Sequence, residues 1–309
     1  MKYLITGGAG FIGSHLCEHL IQKGHEVVII DNLSTGHESN LQNIRDNVIL
    51  YKEKIETFDF TIENNFSAVI HLAAQPSVPL SIKDFYNSSS SNLLGTIKII
   101  EFCRIRNIPL IYASSSAVYG GLHIGDDTKN SIDLSTPYAT DKLAMELYAV
   151  TAYKNYQLSS VGLRFFNVYG PRQDPRNPYS GVISIFADRI LKNQDIIING
   201  GHQSRDFIYV NDVVNVIWQA IDFASKNTVC EISNVLTGKT VTIDYLADKM
   251  MDLIGIKVSK KYQELALGDP EKSDGTVGNM VKLFSTNIES FTKLQIGLKK
   301  TILHIKNEE

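Results

Sequence analysis

A tyrosine and a lysine four residues apart form the pair best suited to proton transfer. On a helix, Tyr138 and Lys142 would share one face, because residues four apart are neighbours on a helix surface. A phenol has a free pKa of about 10, but a neighbouring ammonium and a helix N-terminus both favour the phenolate. The pair therefore predicts a general base for the proton of a carbinol. A second tyrosine and lysine with the same spacing, Tyr245 and Lys249, show that this spacing also arises by chance. We interpret the second pair as part of an ordinary helix face.

Hydroxyl side chains precede this pair at the end of a strand predicted over residues 110–113. They are Ser114, Ser115 and Ser116. Ligands of parallel sheets bind at the carboxyl ends of the strands, so a hydroxyl here could polarise a substrate oxygen; an ordinary serine-rich turn is the alternative. Thr136 and Pro137 are predicted to cap and to begin the helix that carries Tyr138.

A glycine-rich turn near the N-terminus predicts a dinucleotide site. It is flanked by a strand, a helix and a second strand, predicted over residues 2–6, 12–23 and 26–30. Gly7 permits a tight turn, Gly10 lets a pyrophosphate approach the helix N-terminus, and Gly13 lets the helix pack on the sheet. Asp31 at the tip of the second strand can accept hydrogen bonds from both ribose hydroxyls and would repel a 2′-phosphate, which favours NAD over NADP. An ordinary glycine turn is the alternative.

Strands and helices alternate along the rest of the first half. Strands are predicted over residues 48–51 and 68–72, and a long helix over 91–106. This alternation predicts an α/β fold with a doubly wound parallel sheet. Ala73 and Ala74, in the loop after the fourth strand, would let the backbone approach the cofactor, although tight packing alone would also explain them. Further helices are predicted over residues 182–192 and 241–254.

The bulk properties exclude several classes of protein. The chain has 309 residues and a net charge of −3. It therefore lacks the excess of positive charge that is typical of nucleic-acid-binding proteins. No apolar run reaches the length of a membrane span. A strand starting at residue 2 leaves no room for a signal peptide, so we expect a cytoplasmic protein. Cys17, Cys103 and Cys230 fit buried thiols in a reducing compartment. Their spacing matches no metal-binding motif, so we predict no metal.

Together these motifs resemble the extended short-chain dehydrogenase/reductases, and more narrowly the nucleotide-sugar epimerase/dehydratase group. The resemblance rests on the glycine turn and on Asp31, residues 92–96, residues 114–120, Tyr138 with Lys142, residues 164–172 and residues 204–213. Specific motifs run from residue 2 to about residue 225 and become sparse beyond that point.

The resemblance implies a mechanism in which tightly held NAD acts as a catalyst. Tyr138 would take the proton of a sugar hydroxyl while hydride passes from the same carbon to the nicotinamide. The keto-sugar would then rotate within the site, and the hydride and the proton would return to its other face. Ser115 would hydrogen-bond the reacting oxygen, and Asn167 and Arg205 would contact the diphosphate, as a guanidinium can do bidentately. For Arg205 the alternative is a surface ion pair with a neighbour such as Asp206.

The resemblance also implies the wider sets of contacts. The cofactor contacts are predicted at Gly7, Gly10, Phe11, Ile12, Gly13, Asp31, Asn32, Ile55, Ala73, Ala74, Asn92, Tyr138 and Lys142. The substrate contacts are predicted at Ser114, Ser115, Ser116, Asn167, Arg205 and Ser273. The catalytic set is Ser115, Tyr138 and Lys142.

The absence of acidic residues from positions 116 and 117 narrows the class of reaction that the resemblance implies. Dehydratases of this group carry Asp-Glu where Ser116 and Ala117 stand, and the decarboxylases place a glutamate at the second position; neither residue here can act as an acid. Oxidation followed by re-reduction remains, which favours an epimerase acting at C4. Ser273, shortly after Asp269, matches a position that borders the sugar pocket, where a small residue resembles enzymes that admit N-acetylated sugars. We therefore predict UDP-N-acetylglucosamine, UDP-glucose or both as substrate; a plain loop serine is the alternative.

Three departures from the family pattern limit the resemblance. Ala266 stands where the family usually has an arginine bound to the diphosphate. Lys54, followed by Ile55, stands where an aspartate usually lies beside the adenine. The segment 273–302 lacks the usual acidic-helix pattern.

Domain organisation and assembly follow from the resemblance. We predict a Rossmann domain over residues 1–165, to which residues 205–228 return, and a mostly substrate-binding domain over 166–309. The helices around 91–106 and 137–156 are expected to form a homodimer, unless they bury only surface within one chain. Competing hypotheses are a dehydrogenase or reductase on a similar sugar, an epimerase on another sugar such as UDP-glucuronate, and a non-catalytic NAD-binding regulatory protein.

Overall fold

The computed structural model describes residues 1–63, 65–129, 131–177, 180–265 and 268–308. The strands are β1 (Lys2–Thr6), β2 (Glu26–Ile30), β3 (Val48–Tyr51), β4 (Ala68–His71), β5 (Leu110–Ser115), β6 (Ser160–Phe165), β7 (Asn167–Tyr169), β8 (Ile196–Asn199), β9 (Ser204–Tyr209), β10 (Cys230–Val235), β11 (Thr240–Thr242), β12 (Lys260–Gln263) and β13 (Lys272–Ser273). The α-helices are α1 (Phe11–Gln22), α2 (Val78–Lys83), α3 (Phe85–Ser89), α4 (Gly95–Arg106), α5 (Pro137–Tyr156), α6 (Val182–Leu191), α7 (Val210–Lys226), α8 (Ile243–Ile254), α9 (Gly278–Phe284) and α10 (Leu294–Glu308). Turns of 3-10 helix cover Glu38–Asn47, Ser116–Tyr119 and Ile288–Ser290, and a π turn covers Ser90–Leu94.

A parallel sheet forms the centre of the molecule. Among the described residues it has seven strands, in the order β10-β6-β5-β4-β1-β2-β3. The order reverses between β1 and β4, where Thr6 lies opposite His71. In doubly wound sheets a ligand crevice opens at such a reversal, outside the carboxyl ends of the strands. The predicted α/β doubly wound fold is confirmed.

Apolar side chains cover both faces of this sheet. Helices α1 and α7 pack on one face, where Leu16 and Ile217 are fully buried. Helices α4 and α5 pack on the other, around Ile99 and Met145. Burial of each such side chain contributes about 1.5–3 kcal/mol. Cover on both faces explains why β1, β2 and β4 are almost continuously apolar.

Smaller sheets and three helices lie beside the central sheet. Strand β9 pairs with β7, β11 and β13, and β8 pairs with β12. Helices α6, α8 and α10 surround a third core that includes Phe186 and Met250. Within the predicted returning segment 205–228, α7 packs on the central sheet but β9 belongs to a smaller one, and β10 beyond it is the edge strand of the central sheet. The domain boundaries, 1–165 and 166–309, stay a prediction.

Two helices begin at other residues than predicted. The helix predicted over 91–106 begins earlier, because α3, the π turn Ser90–Leu94 and α4 form continuous helical backbone from Phe85 to Arg106. The helix predicted over 241–254 begins at Ile243, because Thr242 ends β11 and its hydroxyl accepts a hydrogen bond from the Tyr245 N–H at 3.2 Å. Helices α9 and α10 occupy much of the segment that lacks the acidic-helix pattern.

Candidate active site

Helix α5 brings Tyr138 and Lys142 to the carboxyl end of β5. The helix begins at Pro137, as predicted, and the Thr136 hydroxyl accepts a hydrogen bond from the Ala139 N–H at 3.2 Å. This cap satisfies one of the free donors at the helix N-terminus. The tyrosine therefore lies in the first turn, where the helix dipole favours a negative charge.

Ser115 and Lys142 both lie beside the Tyr138 side chain. The Lys142 Nζ atom is 5.6 Å from the centroid of the tyrosine ring and donates a hydrogen bond to the carbonyl of Ala113 at 2.7 Å. The Ser115 hydroxyl lies close enough to act on the Tyr138 phenol as a hydrogen-bonding partner, which lowers the pKa of Tyr138. The structure thus brings the three predicted catalytic residues together, although they come from a strand end and a separate helix.

Burial governs the protonation of this group. It lowers the pKa of Lys142 to about 8, opposed by the nearby carboxylates of Asp141 and Glu146. It raises the pKa of Tyr138, while the hydrogen bond with Ser115 lowers it. A weakly held ammonium proton next to a phenol suits a site that must take up and return a proton.

The three serines have different surroundings. The Ser114 hydroxyl is buried and donates to Glu146 Oε1 at 2.5 Å, which argues against its predicted substrate contact. The Ser115 hydroxyl accepts a hydrogen bond from the Ala117 N–H at 3.1 Å, and Ser116 opens the 3-10 turn that follows. Successive strand residues point to opposite faces, so adjacent serines at the end of β5 take different roles.

The glycine turn fits the pyrophosphate of NAD. Gly7 has a φ of +73°, and a Cβ there would lie 2.7 Å from the Ala73 nitrogen. A Cβ on Gly13 would lie 2.1 Å from the Gly7 oxygen, so the helix packs directly on the turn. Gly10 is open by comparison: among the described residues a Cβ there would meet only the Gly7 oxygen, at 3.2 Å. No side chain caps α1, which leaves its N-terminal N–H groups for an anion.

Asp31 is fixed beside this turn by two backbone donors. Its carboxylate accepts hydrogen bonds from the Ala9 and Leu33 N–H groups, both at 2.9 Å. Burial raises the pKa of Asp31, and these two hydrogen bonds lower it. An ionised carboxylate has acceptor capacity beyond two hydrogen bonds, so ribose hydroxyls could still bind. Asn32 is exposed, and its side-chain oxygen accepts from the Ser34 N–H.

The opposite wall of the crevice is the loop after β4. Ala73 packs against Gly7, and Ala74 is half-buried. Asn92, in the π turn, is buried; its side-chain oxygen accepts from the Gln75 N–H at 2.7 Å, and its amide donates to Asp141 at 3.4 Å. Asn92 therefore ties this loop to the catalytic helix.

A buried histidine that the sequence analysis did not single out supports the same loop. His71 Nδ1 lies 2.7 Å from the Thr6 hydroxyl, and Nε2 lies 2.9 Å from the Thr96 hydroxyl. Because that second hydroxyl donates its proton to the Asn92 carbonyl, it accepts from Nε2–H, which places the ring proton there. Burial lowers the pKa of His71 to about 3, so the ring is a neutral bridge between β1, β4 and the helix beyond.

The other predicted cofactor positions lie around this crevice. Phe11 and Ile12 are half-buried in the first turn of α1. Ile55 is buried in the core beside Gly95, and the carbonyl of Lys54 accepts hydrogen bonds from the two N–H groups that follow Glu56. Their contacts with NAD stay predictions.

The other three predicted substrate residues lie on the four-stranded sheet. Arg205 is buried and pairs with Asp269 Oδ1 at 2.5 Å. The alternative for Arg205, an ion pair with a neighbour such as Asp206, is thus present with Asp269 as the partner, while the Asp206 carboxylate accepts hydrogen bonds from the loop after β10. Asn167 donates to the backbone carbonyl of Asp206 at 3.1 Å, and Ser273 pairs in register with Arg205. The structure thus brings these predicted residues to one sheet; Ala266 lies outside the described residues.

The described ranges also bear on metal sites and on membrane spans. No group of three or more His, Cys, Asp or Glu side chains is arranged there to hold a metal ion. No helix in the same ranges is both long and apolar enough to cross a membrane.

Comparison with known proteins identifies the family. The chain matches the NAD dependent epimerase/dehydratase family over residues 3–235. It is 32% identical to the UDP-glucose 4-epimerase of Mycolicibacterium smegmatis, over 100% of this chain and 99% of that protein. The structure of UDP-N-acetylglucosamine 4-epimerase from Methanobrevibacter ruminantium, in complex with UDP-N-acetylmuramic acid, superposes with a TM-score of 0.93 at 34% identity, covering 100% and 99% of the two chains. The structure of UDP-glucuronic acid 4-epimerase from Bacillus cereus, in complex with UDP-glucuronic acid and NAD, superposes with a TM-score of 0.92. The two sequences are 28% identical, and the match covers 100% of each chain.

The chain therefore belongs to the NAD dependent epimerase/dehydratase family. It is an NAD-dependent enzyme of the UDP-sugar 4-epimerase group. The predicted family, enzyme class and cofactor are confirmed. The identity of the sugar and the roles of individual residues stay predictions.

Proposed function

We propose that this enzyme inverts carbon 4 of UDP-N-acetylglucosamine, UDP-glucose or both. The observation that carries the proposal is the cluster of Ser115, Tyr138 and Lys142 beside the crevice between β1 and β4. Ser115 holds the reacting oxygen, Tyr138 removes its proton and Lys142 balances the charge of the phenolate. When bound, NAD supplies the acceptor and then the donor of the hydride.

The turn after β5 supports epimerisation over elimination. Loss of a hydroxyl requires an acid that protonates the leaving group. Ser116 and Ala117 open the 3-10 turn next to Ser115 and carry no acid. Glu146, the carboxylate hydrogen-bonded to the end of this strand, is held by Arg164. Without an acid at these two positions of the described turn, the site favours renewed reduction of the keto-sugar over loss of a leaving group.

Ser273 supports a pocket with room for an acetamido group. It lies half-buried on β13, beside Arg205 on β9. Two residues after this strand, Gly275 packs so closely on the Phe166 ring that a Cβ there would lie 2.5 Å away, which fixes the chain next to Ser273. A serine at this position leaves space that a tyrosine would fill. The diphosphate contacts of Asn167 and Arg205 belong to the same proposal.

We propose a cytoplasmic homodimer that buries helices α4 and α5. Large apolar side chains are exposed on this side of the molecule: Phe85 on α3 is 60% exposed, Leu94 in the π turn 56% and Leu147 on α5 58%. Contact with the same helices of a second copy would remove this surface from water.

The test supplies purified protein with UDP-N-acetylglucosamine, UDP-glucose or UDP-glucuronate, without added NAD, and follows the anomeric protons by NMR. The proposal predicts the galacto epimer of the first or second sugar, and none from Tyr138→Phe. Turnover of the uronate alone would contradict the proposed substrate. Net accumulation of NADH would indicate a dehydrogenase. NAD bound without turnover of any of the three sugars would refute the proposed substrates and favour another sugar or a regulatory role.

A further inference from the structure

A buried ion pair lies one helical turn beyond the catalytic lysine. Glu146 on α5 and Arg164 on β6 join through two contacts, Nη2 to Oε2 at 2.6 Å and Nε to Oε1 at 2.8 Å. Their side chains are 5% and 8% exposed. The Ser114 hydroxyl adds a third hydrogen bond to the carboxylate, and the Tyr119 hydroxyl accepts from Arg164 Nη1 at 2.8 Å.

Fold stability alone does not explain this pair. Burial of two charges costs several kcal/mol of desolvation per ion, and apolar residues of similar volume often stabilise a core equally well or better. Arg164 is the charged residue of β6, a strand that is buried along its whole length. The position of the pair therefore suggests a task beyond packing.

That position is in electrostatic contact with the proton-transfer group. Tyr138, Lys142 and Glu146 follow at intervals of four residues along α5, so they lie along one side of the helix. The Glu146 carboxylate acts on Lys142 and favours its charged form. Ser114, which it also holds, is the residue before Ser115. A change in the net charge of the pair is thus felt at Lys142, whose Nζ atom lies 5.6 Å from the centroid of the Tyr138 ring; Asp141 is the carboxylate that acts on Tyr138 itself.

We propose that Arg164 compensates the charge of Glu146 and that the pair thereby sets the pH range in which Tyr138 exchanges its proton. Glu146 and Arg164 are positioning residues, since neither touches the reacting atoms. The inference deepens the proposed function, because it concerns the same proton transfer. Its physical basis is the strength of charge interactions inside a protein, where each is screened far less than in water.

The other titratable groups around this site belong to six segments of the chain. They are Asp141 on α5, His71 on β4, Tyr112 on β5, Tyr119 in the 3-10 turn, Asp127 in the loop after it and Cys230 on β10. Burial holds the histidine neutral and raises the pKa of both tyrosines and of the thiol. Asp141 is hydrogen-bonded to Asn92, and Asp127 to two backbone N–H groups. None of these groups compensates Glu146 directly, whereas Arg164 does so through two hydrogen bonds.

Charge variants test the inference with NAD present and no sugar. Each variant is compared with its own Tyr138→Phe counterpart, so that the difference in tyrosinate absorbance reports the ionisation of Tyr138 alone. Glu146→Gln leaves the Arg164 charge uncompensated and is expected to move that ionisation to lower pH by about one unit, the scale of a partly screened charge at this range. The double variant Glu146→Gln with Arg164→Met removes both charges and is expected to return to the parental pH. Arg164→Lys keeps the positive charge but loses the bidentate contact with Glu146. In this variant Tyr138 is also expected to ionise at the parental pH.

The inference is overturned if Glu146→Gln titrates like the parent, or if the double variant is displaced as far as the single one. In the first case the pair only supports the fold; in the second, geometry rather than charge explains the shift. The acid limb of the pH profile for sugar turnover should move with the absorbance. Because the absorbance titration needs no turnover, a wrong substrate leaves this test intact.

Discussion

Two glycines of the N-terminal turn should separate cofactor binding from folding. A methyl on Gly13 would lie 2.1 Å from the Gly7 oxygen and 2.8 Å from the Gly8 Cα, both backbone atoms. Ordinary contacts begin at 3.4 Å, so Gly13→Ala forces α1 away from the turn by more than an ångström. We expect a loss of about 3 kcal/mol or more, the upper range for overpacking.

Gly10→Ala should have the opposite profile. Its φ of −76° and ψ of 179° suit any residue, and its methyl needs a shift of only a few tenths of an ångström from the single contact at 3.2 Å. We expect a cost below about 1 kcal/mol. The methyl would, however, stand where the pyrophosphate approaches the N-terminus of α1. NAD binding should therefore be lost while the fold is kept.

The assay is thermal unfolding of NAD-free protein, with and without added NAD. At 100 times its dissociation constant a ligand stabilises the folded state by about 2.7 kcal/mol. The parent should show that stabilisation; Gly10→Ala should unfold near the parental temperature but gain almost nothing from NAD. Gly13→Ala should unfold well below both. NAD stabilisation of Gly10→Ala equal to that of the parent would refute this account of the turn.

Three further predictions concern the catalytic group and the sugar pocket. Tyr138→Phe should reduce epimerisation by about 10²–10⁴-fold, the usual contribution of a general base, while NAD stays bound; a loss below tenfold in the NMR assay would contradict its role. Ser273→Tyr should abolish turnover of UDP-N-acetylglucosamine and spare UDP-glucose, and unchanged kinetics with both sugars would remove Ser273 from the pocket. Because burial lowers the pKa of Lys142 from 10.5 to about 8, the unfolded chain holds this proton over a pH range in which the folded protein has released it. The free energy of unfolding should therefore rise by about 2 kcal/mol between pH 8 and pH 10 relative to Lys142→Met; parallel urea-unfolding profiles of the two proteins would contradict the shift.

Local patterns predicted the parts of the site that depend on neighbours in the chain. The glycine turn, the Thr136 cap and the start of α5 at Pro137 each depend on a few consecutive residues. The opposite directions of Ser114 and Ser115 were also available from the sequence, because side chains alternate along a strand.

Long-range partners were beyond such patterns. Glu146 and Arg164 lie on different elements and meet only in the packed fold. Arg205 pairs with Asp269 rather than with the adjacent Asp206, because β9 pairs with β13. The Asp206 carboxylate instead accepts a hydrogen bond from the loop after β10. The sequence does show a charged residue within a mostly apolar segment in each case. Such a residue indicates that a buried partner exists, but the sequence does not identify that partner.

The central claim is oxidation and re-reduction at a single carbon of the sugar. The most direct measurement uses UDP-N-acetylglucosamine, or UDP-glucose if that is the sugar turned over, deuterated at carbon 4, in ordinary water with no NAD added. The account predicts an epimer that keeps the deuterium at carbon 4, because the hydride never exchanges with solvent. An epimer that has lost the label to water would contradict the account, since it would require removal of the carbon-bound hydrogen as a proton.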